Sequence, residues 1–190
     1  MKALRTAAAA VLLVAIAVLA ARTDAANSNN ERRFYSARAG VGIEAPPGWT
    51  LSTHTGYPTI LCLLVHPGGS RVTLAVGAAV TARDGAALAA ESRPGLAAQG
   101  IEVTAVGGGP RGGVLLDARL PRRDQAIRQL YLVRPLEGTP PARQAIILTL
   151  TAAAADFPAA SAALDWMIAR LDLQTPVRPD DKHDRPDGGL

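Results

Sequence analysis

Between Gly40 and Leu51 the chain reads G-V-G-I-E-A-P-P-G-W-T-L, a short strand that stops at two prolines and a glycine and then supplies a tryptophan. Pro46 and Pro47 have no N–H to donate to a ladder, and Gly48 accepts the backbone angles that a tight turn demands. The strand therefore ends here, and Trp49 is delivered at a fixed place. The segment Gly40 to Ala45 also fits the dinucleotide pattern G-x-G-x-x-A. That pattern works only when a helix opens at the glycines and holds a pyrophosphate on its N-terminus. Prolines arrive instead, so no nucleotide site is expected.

At 190 residues the chain has the length of one domain with appendages. Its composition is 48% hydrophobic but only 4% aromatic, so the core is expected to be Ala, Val, Leu and Ile, with Trp49 and Trp166 as the large anchors. The formal net charge is +4. Residues 1–26 hold Lys2, Arg5 and Arg22 against Asp24, which leaves about +2 for the remainder, too little for a nucleic-acid clamp. Cys62 is the single cysteine and sits among Ile60, Leu61, Leu63 and Leu64. It reads as a buried, inert thiol with no disulfide partner.

Residues 1–26 have the build of a secretory signal peptide: Lys2 and Arg5, an apolar run from Ala7 to Ala21, then small residues at Ala20, Ala21, Ala25 and Ala26. The run is shorter than the about 20 residues a spanning helix needs, so a cleaved signal is expected rather than a retained anchor. No cysteine follows it to accept a lipid. The localisation expected is thus exported, periplasmic or extracellular. Residues 27–33 read as a flexible lead-in, and 174–190, with Pro176, Pro179 and Pro186, as a disordered tail.

Within 34–173, strands are expected at Phe34 to Ala37 and Val41 to Glu44, then at Tyr57 to His66 and Arg71 to Val80 around the turn Pro67-Gly68-Gly69-Ser70. Asp84 is expected to cap a helix reaching Gln99, broken or kinked at Pro94. Ile101 to Val106 reads as a strand, and Gly107 to Gly113 as a mobile hairpin loop; a phosphate cradle would need Lys and Ser or Thr before a helix. Strands follow at Gly113 to Leu120, Ala126 to Pro135 and Arg143 to Ala152, at spacings suited to adjacent hairpins. Asp156 begins a second helix whose stripe is Phe157, Ala160, Leu164, Met167, Ile168 and Leu171, with Trp166 off that stripe.

Chemistry-bearing residues are sparse. His54, His66 and His183 have no zinc-site spacing, and no nucleophile elbow is present. Ser52 or Ser70 with His54 or His66 would still need a carboxylate to form a triad. No catalytic residue, cofactor or metal ligand is assigned; Asp180, Asp181, His183, Asp184 and Asp187 offer ligand atoms without a rigid frame. Arginines outnumber acids from Arg111 to Arg143. Arg122 and Arg123, at an expected hairpin tip, are candidates for contact with an acidic partner or an anionic membrane surface. Trp166 is a further candidate partner contact. Interleaved aromatics for single-stranded nucleic acid are missing from this region.

The stretch Gly42-Ile43-Glu44-Ala45-Pro46-Pro47-Gly48-Trp49, the helix before Gly100-Ile101-Glu102-Val103 and the closing unit Ile146 to Leu171 together resemble the Mog1/PsbP-like superfamily. Within it the likeness is to DcrB-, LpqN- and PsbP-related bacterial envelope proteins. The resemblance implies an α+β fold, an antiparallel sheet flanked by helices as an α/β sandwich over 34–173. It also implies a non-enzymatic role as a binding or accessory module for another protein. The alternative is a carrier, with an Ala-rich core leaving a sheet–helix cleft for a small apolar, lipid-like ligand.

Overall fold

The computed structural model of the chain describes residues 32–53, 55–79, 82–136 and 142–176. The expected signal segment, His54, His183 and everything past Pro176 lie outside these residues. The fold is α+β, as the order of elements predicted. Seven antiparallel strands form the main sheet: β3 (Thr50–Ser52), β4 (Ile60–Val65), β5 (Arg71–Ala78), β6 (Glu102–Gly108), β7 (Val114–Leu120), β8 (Gln125–Leu136) and β9 (Ala142–Ala153). Their spatial order is β3-β4-β5-β9-β8-β7-β6. A small second sheet has the order β1-β2-β10, from β1 (Arg33–Ser36), β2 (Val41–Glu44) and β10 (Asp172–Leu173).

The two longest strands, β8 and β9, pair along their whole length at the middle of the main sheet. Both faces of that sheet are covered. On one side Ile146, Leu148 and Leu150 of β9 join Leu74, Val72 and Leu64 beneath helix α2 (Phe157–Ala169) and the small sheet. On the other, Ala145, Ile147 and Tyr131 join Leu116 and Ile127 beneath helix α1 (Gly85–Ala98). A one-residue slip of β9 would exchange these two sets, so both cores fix its register.

Asp84 caps α1 as predicted, its carboxylate accepting the Ala87 N–H at 2.8 Å. The expected break at Pro94 does not occur: one helix runs through it to Ala98. Buried Leu88, Ala89 and Leu96 hold both sides of the proline against the same sheet face, which offsets the hydrogen bond the ring removes. The glycine-rich stretch is also more ordered than a loop. Gly107 and Gly108 belong to β6, a single 3-10 turn spans Pro110–Gly112, and Gly109 N–H bonds the Gly113 carbonyl at 2.8 Å.

At the domain limits, Arg33 begins β1 and the Arg32 side chain donates to the Ala45 carbonyl. At the other end the fold continues past 173. The Gln174 N–H bonds the Gly40 carbonyl at 2.9 Å and its side chain receives the Tyr35 hydroxyl at 3.0 Å.

Candidate functional site

One end of the main sheet gathers most of the residues singled out above. The pairings Thr50 with Val65, Val65 with Arg71 and Arg71 with Thr151 place three segments side by side. These are the Pro46–Trp49 turn, the β4–β5 turn from His66 to Ser70, and the start of α2 after β9. A cavity of about 160 Å³ opens between them, lined by Trp49, His66, Ser70 and Asp156 over a floor of Ala159, Ala160 and Ala163.

Each side chain is placed by local chemistry. Trp49 N–H closes the proline turn on the Pro46 carbonyl at 3.1 Å, with Gly48 at φ +82°, and the indole joins the α2-side core. His66 is exposed, its ring 5.5 Å from Trp49 at an angle of 47°. Its Nδ1 accepts the Gly68 N–H at 3.1 Å, so the neutral ring carries its proton on Nε2. Asp156 stands at the N-cap position of α2, but its carboxylate makes no capping bond.

Ser70, His66 and Asp156 thus line one pocket, the convergence a triad would need. The tautomer opposes that chemistry. In a triad Nδ1 donates to the carboxylate and Nε2 accepts from the serine, whereas here Nδ1 is an acceptor. Among the described residues the bond recorded between Ser70 and His66 is a main-chain one, His66 N–H to the Ser70 carbonyl at 2.9 Å, and no group of three or more His, Cys, Asp or Glu side chains assembles.

The predicted contact residues are not brought into one patch. Arg122 and Arg123 are exposed in a 3-10 turn, Pro121–Arg123, between β7 and β8, where a hairpin tip was expected. That turn lies at the pocket end, since the Ala154 N–H bonds the Asp124 carbonyl at 3.0 Å. Trp166 lies nine residues into α2, about 13 Å further along its axis. It is half-buried, with the Arg170 guanidinium 3.9 Å over its ring.

The arginine pattern also shrinks. Arg128 is bidentate to Asp117 at 2.7 and 2.9 Å and lies over Phe157; the Asp117 hydrogen bond raises its pKa. Arg134 is consumed by the backbone carbonyls of Ala39, Gly40 and Gln174, which flank the strands of the small sheet. Cys62 is buried as expected, and burial pushes its thiol up to about 12.

Sequence reasoning named His66 and Ser70 as a pair lacking a carboxylate and treated Asp156 only as a helix start. The missing signal was the register of β4, β5 and β9, which alone puts residue 156 beside residue 66.

No family model and no curated protein matches the chain. Among solved structures the chain is similar to the solution structure of cyanobacterial PsbP (CyanoP) from Synechocystis sp. PCC 6803. The identity is 11% over 75% of this chain and 91% of that one, with a TM-score of 0.46.

Proposed function

We propose that this chain is an exported, non-enzymatic interaction module of a bacterial envelope or the surrounding medium, and that it engages a protein partner through the free edge of β6. The observation that carries this reading is the edge itself. β6 has seven residues, pairs only with β7 among the described residues, and is exposed at every position but half-buried Val103. Val106 is 51% exposed, and open space surrounds Gly107 and Gly108. Such an edge presents unpaired N–H and C=O groups, and proteins ordinarily blunt it with lysine, proline or a covering segment. Neither lysine nor proline lies in β6; Glu102 and a register shift between Val103 and Ala105 blunt its start, and beyond them, over Val106 to Gly108, an added strand from a partner would satisfy its ladder. Arg122 and Arg123 stand nearby as the contact for acidic groups of that partner, or for an anionic membrane surface.

Against a carrier, among the described residues, stands the size of the space available. The cavity over the α2 floor, at about 160 Å³, is below the roughly 300–1,000 Å³ of pockets that enclose small ligands. The larger ones described, about 270 and 380 Å³, are surface clefts beside Arg33 and Arg134.

The test is photo-crosslinking from Thr104 and Val106 in the cells that make the protein, with Ala169 on α2 as the control position. Crosslinks confined to β6, and lost in a folded Val106→Pro variant, are expected. Crosslinks only from Ala169, or none from β6, overturn the reading. Native mass spectrometry of the gently purified protein tests the rest: residues 1–26 should be absent, and a retained apolar molecule of a few hundred daltons would favour the carrier.

A further inference from the structure

From the pocket at the start of α2 we infer that it receives one basic side chain, a lysine or arginine, from the protein partner. The inference rests on the interaction reading and names the chemistry of what is bound. Its shape argues first. Trp49 and the alanines Ala159, Ala160 and Ala163 form apolar walls around about 160 Å³. A cavity near 150 Å³ holds about six carbons, which is the scale of one long side chain and excludes an acyl chain. The walls suit an aliphatic stem, which basic side chains bury along apolar surface while keeping the head in a polar setting.

Charge decides what the head must be. Asp156 lines the pocket, is exposed, and has its carboxylate free of the capping bond that an N-cap aspartate usually makes. The α2 N-terminus contributes only about half a positive charge, so the full negative charge of Asp156 prevails at the mouth. The Trp49 ring lines the same pocket, and an aromatic ring attracts a cation that reaches its face. Ser70 adds a hydroxyl oxygen that can accept from such a head, whereas the His66 Nε2–H is itself a donor and acts only as part of the wall. The other charged groups at this end are Arg71 at the start of β5, Arg122, Arg123 and Asp124 on the β7–β8 turn, and Arg128 over Phe157, whose charge Asp117 offsets; Arg71, Arg122 and Arg123 oppose a cation from outside the pocket.

The experiment titrates the whole secreted chain with four probes: the Nα-acetyl methylamides of lysine, arginine, norleucine and glutamate. It follows the indole N–H resonance of Trp49, assigned by comparison with Trp166→Phe. The lysine or arginine probe is expected to shift that resonance with millimolar affinity, roughly threefold to tenfold tighter than norleucine, a ratio fitting a partly exposed ion pair with a cation–π contact. Asp156→Asn, which keeps a side chain suited to the N-cap, should abolish the preference. Ala163→Leu should fill the cavity and weaken every probe. Equal binding of norleucine, tighter binding of glutamate, a preference that survives Asp156→Asn, or a Trp49 resonance that no probe moves would each overturn the inference. None of these outcomes touches the β6 crosslinks, so the two readings fail separately.

Discussion

Arg134 on β8 donates its Nη2 to the carbonyl oxygen of Ala39, 95 residues earlier in the chain, and thereby fastens the small sheet to the large one. The same guanidinium donates to the carbonyls of Gly40 at 3.2 Å and Gln174 at 2.7 Å, and to Gln144 Oε1 at 2.7 Å. Gln144 Nε2 also reaches Ala39, at 3.2 Å. Arg134→Met keeps the stem but orphans carbonyls in a partly desolvated corner. Hydrogen bonds to charged groups contribute about 1.5–3 kcal/mol each, and water can replace some of them here. Urea denaturation should therefore show a loss of about 2–3 kcal/mol, with hydrogen exchange rising first in Arg33–Glu44. A variant as stable as the parent would mean that the clamp is redundant.

Tyr131 makes a second buried device on the opposite face. Its hydroxyl donates to Gln129 Oε1 at 2.6 Å, and Gln129 Nε2 donates to Thr149 Oγ1 at 3.1 Å. Tyr131→Phe leaves the ring packing intact and strands the Gln129 oxygen under α1. An unsatisfied buried acceptor costs about 1–3 kcal/mol. Thermal unfolding of Tyr131→Phe should report that loss, and adding Gln129→Met should recover part of it. If the double variant is worse than the single one by the full cost of Gln129→Met alone, the two groups are uncoupled.

Much of this architecture was legible in the chain. The alternation along β5 and β9, the stripe on α2 and the turn at Pro46–Trp49 each act locally, and each predicted its element. What escaped prediction was set at a distance. Residues 172–173 have no pattern of their own and become β10 because Gly42 and Val41 lie beside them. Arg134 read as one member of a basic surface, yet its partners are carbonyls far away in sequence. Asp156 read as a helix start, and only the register of three strands makes it part of a pocket.

Cys62 sets a limit at high pH. Its folded pKa is raised by burial from 9.0 to about 12, so the neutral thiol is favoured in the folded state. Below pH 9 the thiol is protonated whether folded or not, and the contribution is fully present. As pH rises from 9 toward 12 the unfolded thiol ionises first, and stability falls through that window. Tyr131 acts in the same sense, raised from 10.0 to about 12 chiefly by burial. Chemical denaturation from pH 8 to 11 should show falling stability, and Cys62→Ala should flatten the limb above pH 9. A native thiol that reacts with a disulfide reagent at pH 8 faster than the protein unfolds would contradict this account.

Gly85 offers a case in which two physical effects oppose each other. It is the first residue of α1, and glycine within a helix costs about 1 kcal/mol relative to alanine. Propensity alone therefore forecasts that Gly85→Ala stabilises the protein. The packing says otherwise: a Cβ at this position would lie 2.5 Å from the Tyr131 carbonyl oxygen and 3.2 Å from the Val114 nitrogen. Both are main-chain atoms of the central sheet and cannot rotate away as a side-chain tip would. α1 would have to lift at its N-terminus, loosening Leu88 and Ala89 from their contacts with the sheet. Overpacking of this kind costs about 1–3 kcal/mol, which exceeds the gain from propensity or at best cancels it. Gly85→Ala should therefore melt no higher than the parent and up to several degrees lower. A higher melting temperature would show that α1 rides over the sheet with slack, and that the close approach at Tyr131 is not what holds it in register.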